Sequence, residues 1–115
     1  MPISRLDESH WAGFWALRER LFRELGELPQ DAAALERATR GFYLAHINRD
    51  LFSWGVLSKE GMVSAGALCV FERLPYEGNL AGREGYILNI YTLPQYRRQG
   101  FAGQILDKIL DYAFS

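Results

Sequence analysis

Apolar residues in the first quarter of the chain recur at helical spacing. Trp11, Phe14, Trp15, Leu17, Leu21, Phe22 and Leu25 form one stripe, with Arg18, Glu19, Arg20, Arg23 and Glu24 mostly on the other side. Asp7 or Ser9 can cap this helix, a short extended segment from Pro2 to Leu6 precedes it, and Gly26 ends it. Asp31 then opens a second helix in which Leu35, Ala38, Phe42 and Ala45 share a face, weakened by Gly41 in its middle.

From Leu51 the period changes to two. Phe52, Trp54 and Val56 alternate with Leu51, Ser53, Gly55 and Leu57, the pattern of a strand. Lys59-Glu60-Gly61 is a turn, and Met62 to Leu74 returns as the second strand of a hairpin, with Gly66 as a bulge or a point of close packing. Pro75 to Arg83 is loop by composition. Gly85 to Thr92, holding Tyr86, Ile87, Leu88, Ile90 and Tyr91, reads as a buried third strand that Pro94 stops. Ala102, Ile105, Leu106, Ile109, Leu110 and Ala113 make the cleanest amphipathic helix of the chain. The order β-α-α-β-β-β-α predicts an α+β fold, one domain over residues 1–115, with helices packed on a largely antiparallel sheet.

Composition narrows the class. At 115 residues with 49% hydrophobic content the chain can hold one core, and it is too apolar for a disordered tail. A net charge of −1 argues against blanketing nucleic acid or an anionic membrane. The one cysteine, Cys69, cannot form an internal disulfide, and with His10 and His46 far apart it makes a poor metal site, so no metal is expected. No signal-like run opens the chain and no stretch of about 18 apolar residues occurs, which leaves the cytoplasm as the expected compartment and no membrane partner.

The chemistry concentrates in Tyr91-Thr92-Leu93-Pro94-Gln95-Tyr96-Arg97-Arg98-Gln99-Gly100-Phe101-Ala102-Gly103, which runs from a strand end through a turn into a helix. The first amides of a helix have no internal partner and point outward, and the helix dipole adds positive potential there. Gly100, Ala102 and Gly103 leave the backbone open, while Arg97 and Arg98 add charge beside it. Such a turn can seat a diphosphate.

Arg97-x-x-Gly100-x-Ala102, with Pro94 just ahead and an apolar strand before it, resembles the Arg/Gln-x-x-Gly-x-Gly/Ala signature of the GNAT superfamily of acyl-CoA-dependent N-acetyltransferases. The element order matches the N-terminal two-thirds of that fold. The resemblance implies acetyl-CoA as the cofactor, its diphosphate on the amides of Gln99, Gly100, Phe101, Ala102 and Gly103 and its pantetheine along the main chain of Ile90, Tyr91 and Thr92. Leu88, Ile90 and Thr92 would then share one face of the strand and Asn89 and Tyr91 the other. It further implies direct attack of a primary amine, on a small molecule or a peptide, on the thioester. Where some members place a glutamate base the chain aligns Tyr86, with Glu84 two residues earlier on the same face, so these are the candidate catalytic residues. The family's further C-terminal strands are absent from this chain. Either a longer polypeptide supplies the next strand, the favoured expectation, or two copies meet at the open edge as a homodimer.

Blander roles fit the other candidates: His10 and His46 as structural residues, Cys69 as a small buried hydrophobe, and Asn89 and Tyr91 as packing and edge residues. Nucleotide-binding turns of the G-x-x-x-x-G-K-[ST] or G-x-G-x-x-G type do not occur. Gly100-Phe101-Ala102-Gly103 formally matches the GXXG loop of a KH nucleic-acid module, but that loop joins two helices, and Pro94 with the strand before it denies the first. A non-catalytic fragment or interaction module is the remaining alternative.

Overall fold

The computed structural model describes residues 1–115. Its elements run β1 (Ile3–Arg5), α1 (Trp11–Leu25), α2 (Ala32–His46), β2 (Leu51–Ser58), β3 (Gly61–Glu72), β4 (Arg83–Thr92) and α3 (Phe101–Ala113), with short 3-10 turns at Glu8–His10 and Pro94–Tyr96. The strands form one antiparallel sheet in the order β1-β2-β3-β4, so β4 is an edge strand with its outer main chain unpaired. This is the expected α+β arrangement.

Local chemistry sets the boundaries. The Asp7 carboxylate accepts from the Ser9 amide at 2.9 Å while His10 Nδ1 accepts from the Asp7 amide, a reciprocal cap that leads directly into α1. Gly26, at φ 70°, closes α1 in the left-handed region that a side chain would resist. Asp31 caps α2 by accepting from the Ala34 amide.

Two cores flank the sheet. On one face Phe14 and Leu17 of α1, Tyr43 of α2 and Ile47 just past its end pack onto Leu51, Ala65, Ala67 and Tyr91. On the other, Phe101, Ile105 and Ile109 of α3 pack on Phe52, Trp54, Val63 and Leu68. The face of α2 differs from the one its aliphatic residues predict. Phe42 is 48% exposed and Ala45 is exposed, whereas Tyr43 is fully buried between Trp11 and Phe14. A tyrosine can take that place because its hydroxyl donates at 2.6 Å to the Asp7 carbonyl, leaving no polar group unpaired.

The third strand also departs from expectation. Of β4 only Tyr91 and Thr92 are buried; the half around Tyr86, which is 62% exposed, carries little cover. An edge strand loses one neighbour, and the helices here shield only its C-terminal end. Within it, Ala65 pairs with Tyr91 but Ala67 pairs with Leu88, so β4 spends one residue more than β3 over that interval. This bulge breaks the simple alternation: Leu88 and Tyr91 pack with the α1–α2 core, and Ile90 packs with the α3 core. Asn89 sits in the bulge at φ 56°, and Gly66 opposite it leaves room, since a Cβ there would stand 2.8 Å from Ile105 and 3.0 Å from Ile90.

Candidate acyl-carrier site

Where β4 ends, the Leu93 amide donates to the Val63 carbonyl and holds the chain on the sheet for one more residue before the Pro94–Tyr96 turn diverts it. The turn returns through two left-handed residues, Arg98 at φ 67° and Gly100 at φ 83°. Glycine adopts this conformation freely; an arginine does so at a cost of about 1–2 kcal/mol.

The product of this path is a row of free donors. The first amide of the turn to bond back into α3 is that of Gln104, to the Gly100 carbonyl, so the amides of Arg98, Gln99, Gly100, Phe101, Ala102 and Gly103 reach no backbone acceptor. No side chain caps α3 either. A Cβ on Gly103 would meet nothing within 4 Å, which shows how open the approach is. Helix α3 thus presents uncapped amides and the positive end of its dipole to one spot.

Beside them lies a cavity of about 540 Å³. Ile90, Tyr91, Thr92, Arg97, Arg98, Gly100, Phe101, Ala102 and Gly103 line it, so every residue assigned from sequence to cofactor binding except Gln99 meets there. Phe101 also anchors the helix start in the α3 core. Arg98 takes part in none of the ion pairs of the molecule and is exposed. Arg97 is committed: its Nε donates to the Thr92 carbonyl at 2.8 Å, its Nη2 lies 3.2 Å from Glu24 Oε2, and its guanidinium covers the Tyr91 ring at 5.3 Å.

Glu24 and Leu21 complete the wall from α1. Sequence spacing places Glu24 among the solvated charges, yet it is the carboxylate of this cavity. The Tyr91 hydroxyl donating to it, then Arg97 beside it, hold its carboxyl below the usual range. Burial first, and then the bond to Glu24, push the Tyr91 hydroxyl above its ordinary value.

The two candidate catalytic residues lie elsewhere. Glu84, near the start of β4, accepts from Arg73 Nη1 at 3.1 Å, and Tyr86 is exposed opposite Cys69; neither lines the cavity. His10 serves in the cap of α1, and His46 contacts Asp50 at 2.7 Å. Gly100–Gly103 follows a strand and a 3-10 turn, so no helix precedes it as one would in a GXXG module. No helix is long and apolar enough to cross a membrane.

The model of the acetyltransferase (GNAT) family matches residues 10–115, and the chain belongs to that family. Among solved structures it is similar to a protein from Clostridium acetobutylicum described as a predicted acetyltransferase and solved with acetyl-CoA. The identity is 25%, with 97% of this chain and 72% of that one covered at a TM-score of 0.81. A GCN5-related N-acetyltransferase from Ralstonia eutropha is 24% identical over 97% of this chain and 75% of its own, at a TM-score of 0.79. The aminoglycoside N-acetyltransferase AAC(6')-Iy in complex with CoA is 18% identical, covered to 98% and 68%, at 0.71. Among curated protein sequences nothing matches the chain.

Proposed function

We propose that the chain binds acetyl-CoA along the C-terminal half of β4 and the turn into α3, and moves its acetyl group to a primary amine. The observation that carries this reading is the row of unpartnered amides from Arg98 to Gly103, set against the free edge of β4. These groups suit a diphosphate followed by an amide-bearing arm: backbone donors and the helix dipole for the anion, a strand edge for the arm. Family membership supports the same donor.

In this scheme the amides of Gln99 to Gly103 hold the diphosphate, and Arg98, free of other partners, adds charge. The main chain of Ile90, Tyr91 and Thr92 aligns the arm. Arg97 fixes the end of β4 to α1 through Thr92 and Glu24, and so keeps the cleft at one width. Bound acetyl-CoA supplies the thioester, whose carbonyl carbon is the electrophile. The amine nitrogen attacks that carbon, a C–N bond forms as the C–S bond breaks, the nitrogen releases a proton and the sulfur takes one up. Glu24, with Tyr91 and Arg97 on it, is a weak base, so the proton of the amine leaves to water at the open cleft.

Calorimetry with coenzyme A and a thiol-release assay across a panel of amines test the reading. Micromolar to submillimolar binding with amine-dependent thiol release is expected; absence of binding at millimolar coenzyme A, or acetyl label accumulating on the protein without an acceptor, overturns it.

A further inference from the structure

A second cavity, of about 320 Å³, lies on the α1–α2 face of the sheet immediately before the first along β4. Leu88 and Asn89 line this one, and Ile90, Tyr91 and Thr92 line the other, so the two are successive stations on one strand with the bulge between them. Its walls are mostly apolar, with Phe14, Phe42, Leu51 and Ala67 among them.

Two residues of its wall, Arg18 and Asn89, hold donors with no partner in the protein. Arg18 belongs to none of the ion pairs, and its Nε is enclosed with nothing to bond. The amide nitrogen of Asn89 is enclosed and unpaired in the same way. Arg18 is half-buried and rests its guanidinium on the Phe22 ring at 4.6 Å. Burial works against its charge, but a guanidinium stays protonated. Nearby Cys69 offers no counter-charge, because burial pushes its thiol up and keeps it neutral. Half-buried and with no anion beside it, the guanidinium is free to pair with a carboxylate that a ligand brings.

From this we infer that the acceptor is a small amine that carries a carboxylate and an apolar body, the carboxylate seated on Arg18 and the Asn89 amide and the amine directed past the bulge toward the first cavity. The inference rests on the acyl-transfer reading for the role of the amine and on Arg18, Asn89 and their pocket for the carboxylate. An apolar amino acid has this chemistry and suits a cavity of this size. A polycation does not: Arg18 repels a second ammonium group, which sets this pocket against aminoglycosides.

Matched pairs test it: phenylalanine with 2-phenylethylamine, and leucine with leucinamide, each offered with acetyl-CoA to the wild-type chain and to Arg18→Gln and Arg18→Lys, with kanamycin as the polycation. A hydrogen bond to a charged partner corresponds to roughly a 10- to 100-fold preference for the carboxylate member in kcat/KM. That preference should collapse in Arg18→Gln and survive in part in Arg18→Lys, with coenzyme A affinity unchanged in both. Independently of turnover, leucine should shift the Arg18 Nε–Hε resonance in the absence of coenzyme A, and leucinamide should not. If coenzyme A binds but both members of each pair are used equally, or the preference survives in Arg18→Gln, or kanamycin is the better substrate, this inference fails and the acyl-transfer reading stands. If coenzyme A does not bind while leucine still moves the Arg18 resonance, acyl transfer fails and the anion site stands. No turnover of either amino acid together with no shift overturns the inference.

Discussion

The Tyr91 hydroxyl donates a 2.6 Å hydrogen bond to Glu24 Oε1, joining the end of β4 to the last turn of α1 across 67 positions of sequence. The other oxygen of the same carboxylate takes Arg97, which also bonds the carbonyl next to Tyr91. One carboxylate therefore sets the spacing between the helix and the strand that bound the cleft.

This clamp has a pH signature. Because the folded protein holds Glu24 below its ordinary value, chiefly through Tyr91, its contribution to stability is present in full above the usual carboxylate range and is lost as pH falls through the depressed value. Tyr91 is raised, so its contribution is complete below the ordinary tyrosine range and is lost as pH rises through the raised value. Urea unfolding from pH 3 to 7 should show wild type more stable than Glu24→Gln at neutral pH, with the two curves converging under acid.

Gly103→Leu should separate folding from binding. The position lies in the first turn of α3 with no neighbour within 4 Å of its Cβ, so leucine relieves a helical glycine and stabilises by roughly 0.5–1 kcal/mol. The same side chain covers the free amides. Thermal unfolding should rise while calorimetry finds coenzyme A binding weakened at least about tenfold, a change of about 1.4 kcal/mol.

Arg98→Ala should leave the fold untouched, because the side chain has no ion pair to lose. Its effect on coenzyme A should be roughly two- to fivefold at low ionic strength and should fade toward 1 M salt, as an exposed charge requires. Titrations at two salt concentrations check it.

Much of this arrangement is legible in the letters, and the rest has physical reasons for staying hidden. The turn from Pro94 to Gly103 carries its chemistry in backbone geometry, which glycine and proline announce. Arg18 is assigned to the solvated side by its charge, although positions 14, 18 and 21 share one helical stripe and set it between Phe14 and Leu21. The inward face of α2 differs from the one its aliphatic residues predict because Tyr43 needs an acceptor 36 positions away, at Asp7, before it can be buried. Glu84 and Tyr86 share a strand with the residues of the first cavity, and the tertiary arrangement sets them outside its lining. The bulge is half legible: Gly66 marks it on β3, while Asn89, the β4 residue that takes it up, reads as an ordinary alternating position.

Gly66→Ala tests that last relationship. The added methyl has Ile105 and Ile90 within about 3 Å and must displace one of them, at roughly 1–3 kcal/mol. Urea unfolding should register the loss, and amide resonances of Asn89 and Ile90 should move more than those of β2.

A strand keeps time in twos, and the extra beat at Asn89 resets the count. Without it Leu88 and Tyr91 would fall on opposite sides, and the tyrosine that reaches Glu24 would point instead toward α3. The upstream half of β4 and the downstream half are thus two passages in different phase, joined between the two cavities. Deleting Asn89 would leave Leu88, Ile90 and Tyr91 on the faces they hold now, whereas flattening the strand with Asn89 still in it would turn everything downstream, Tyr91 included, to the wrong side.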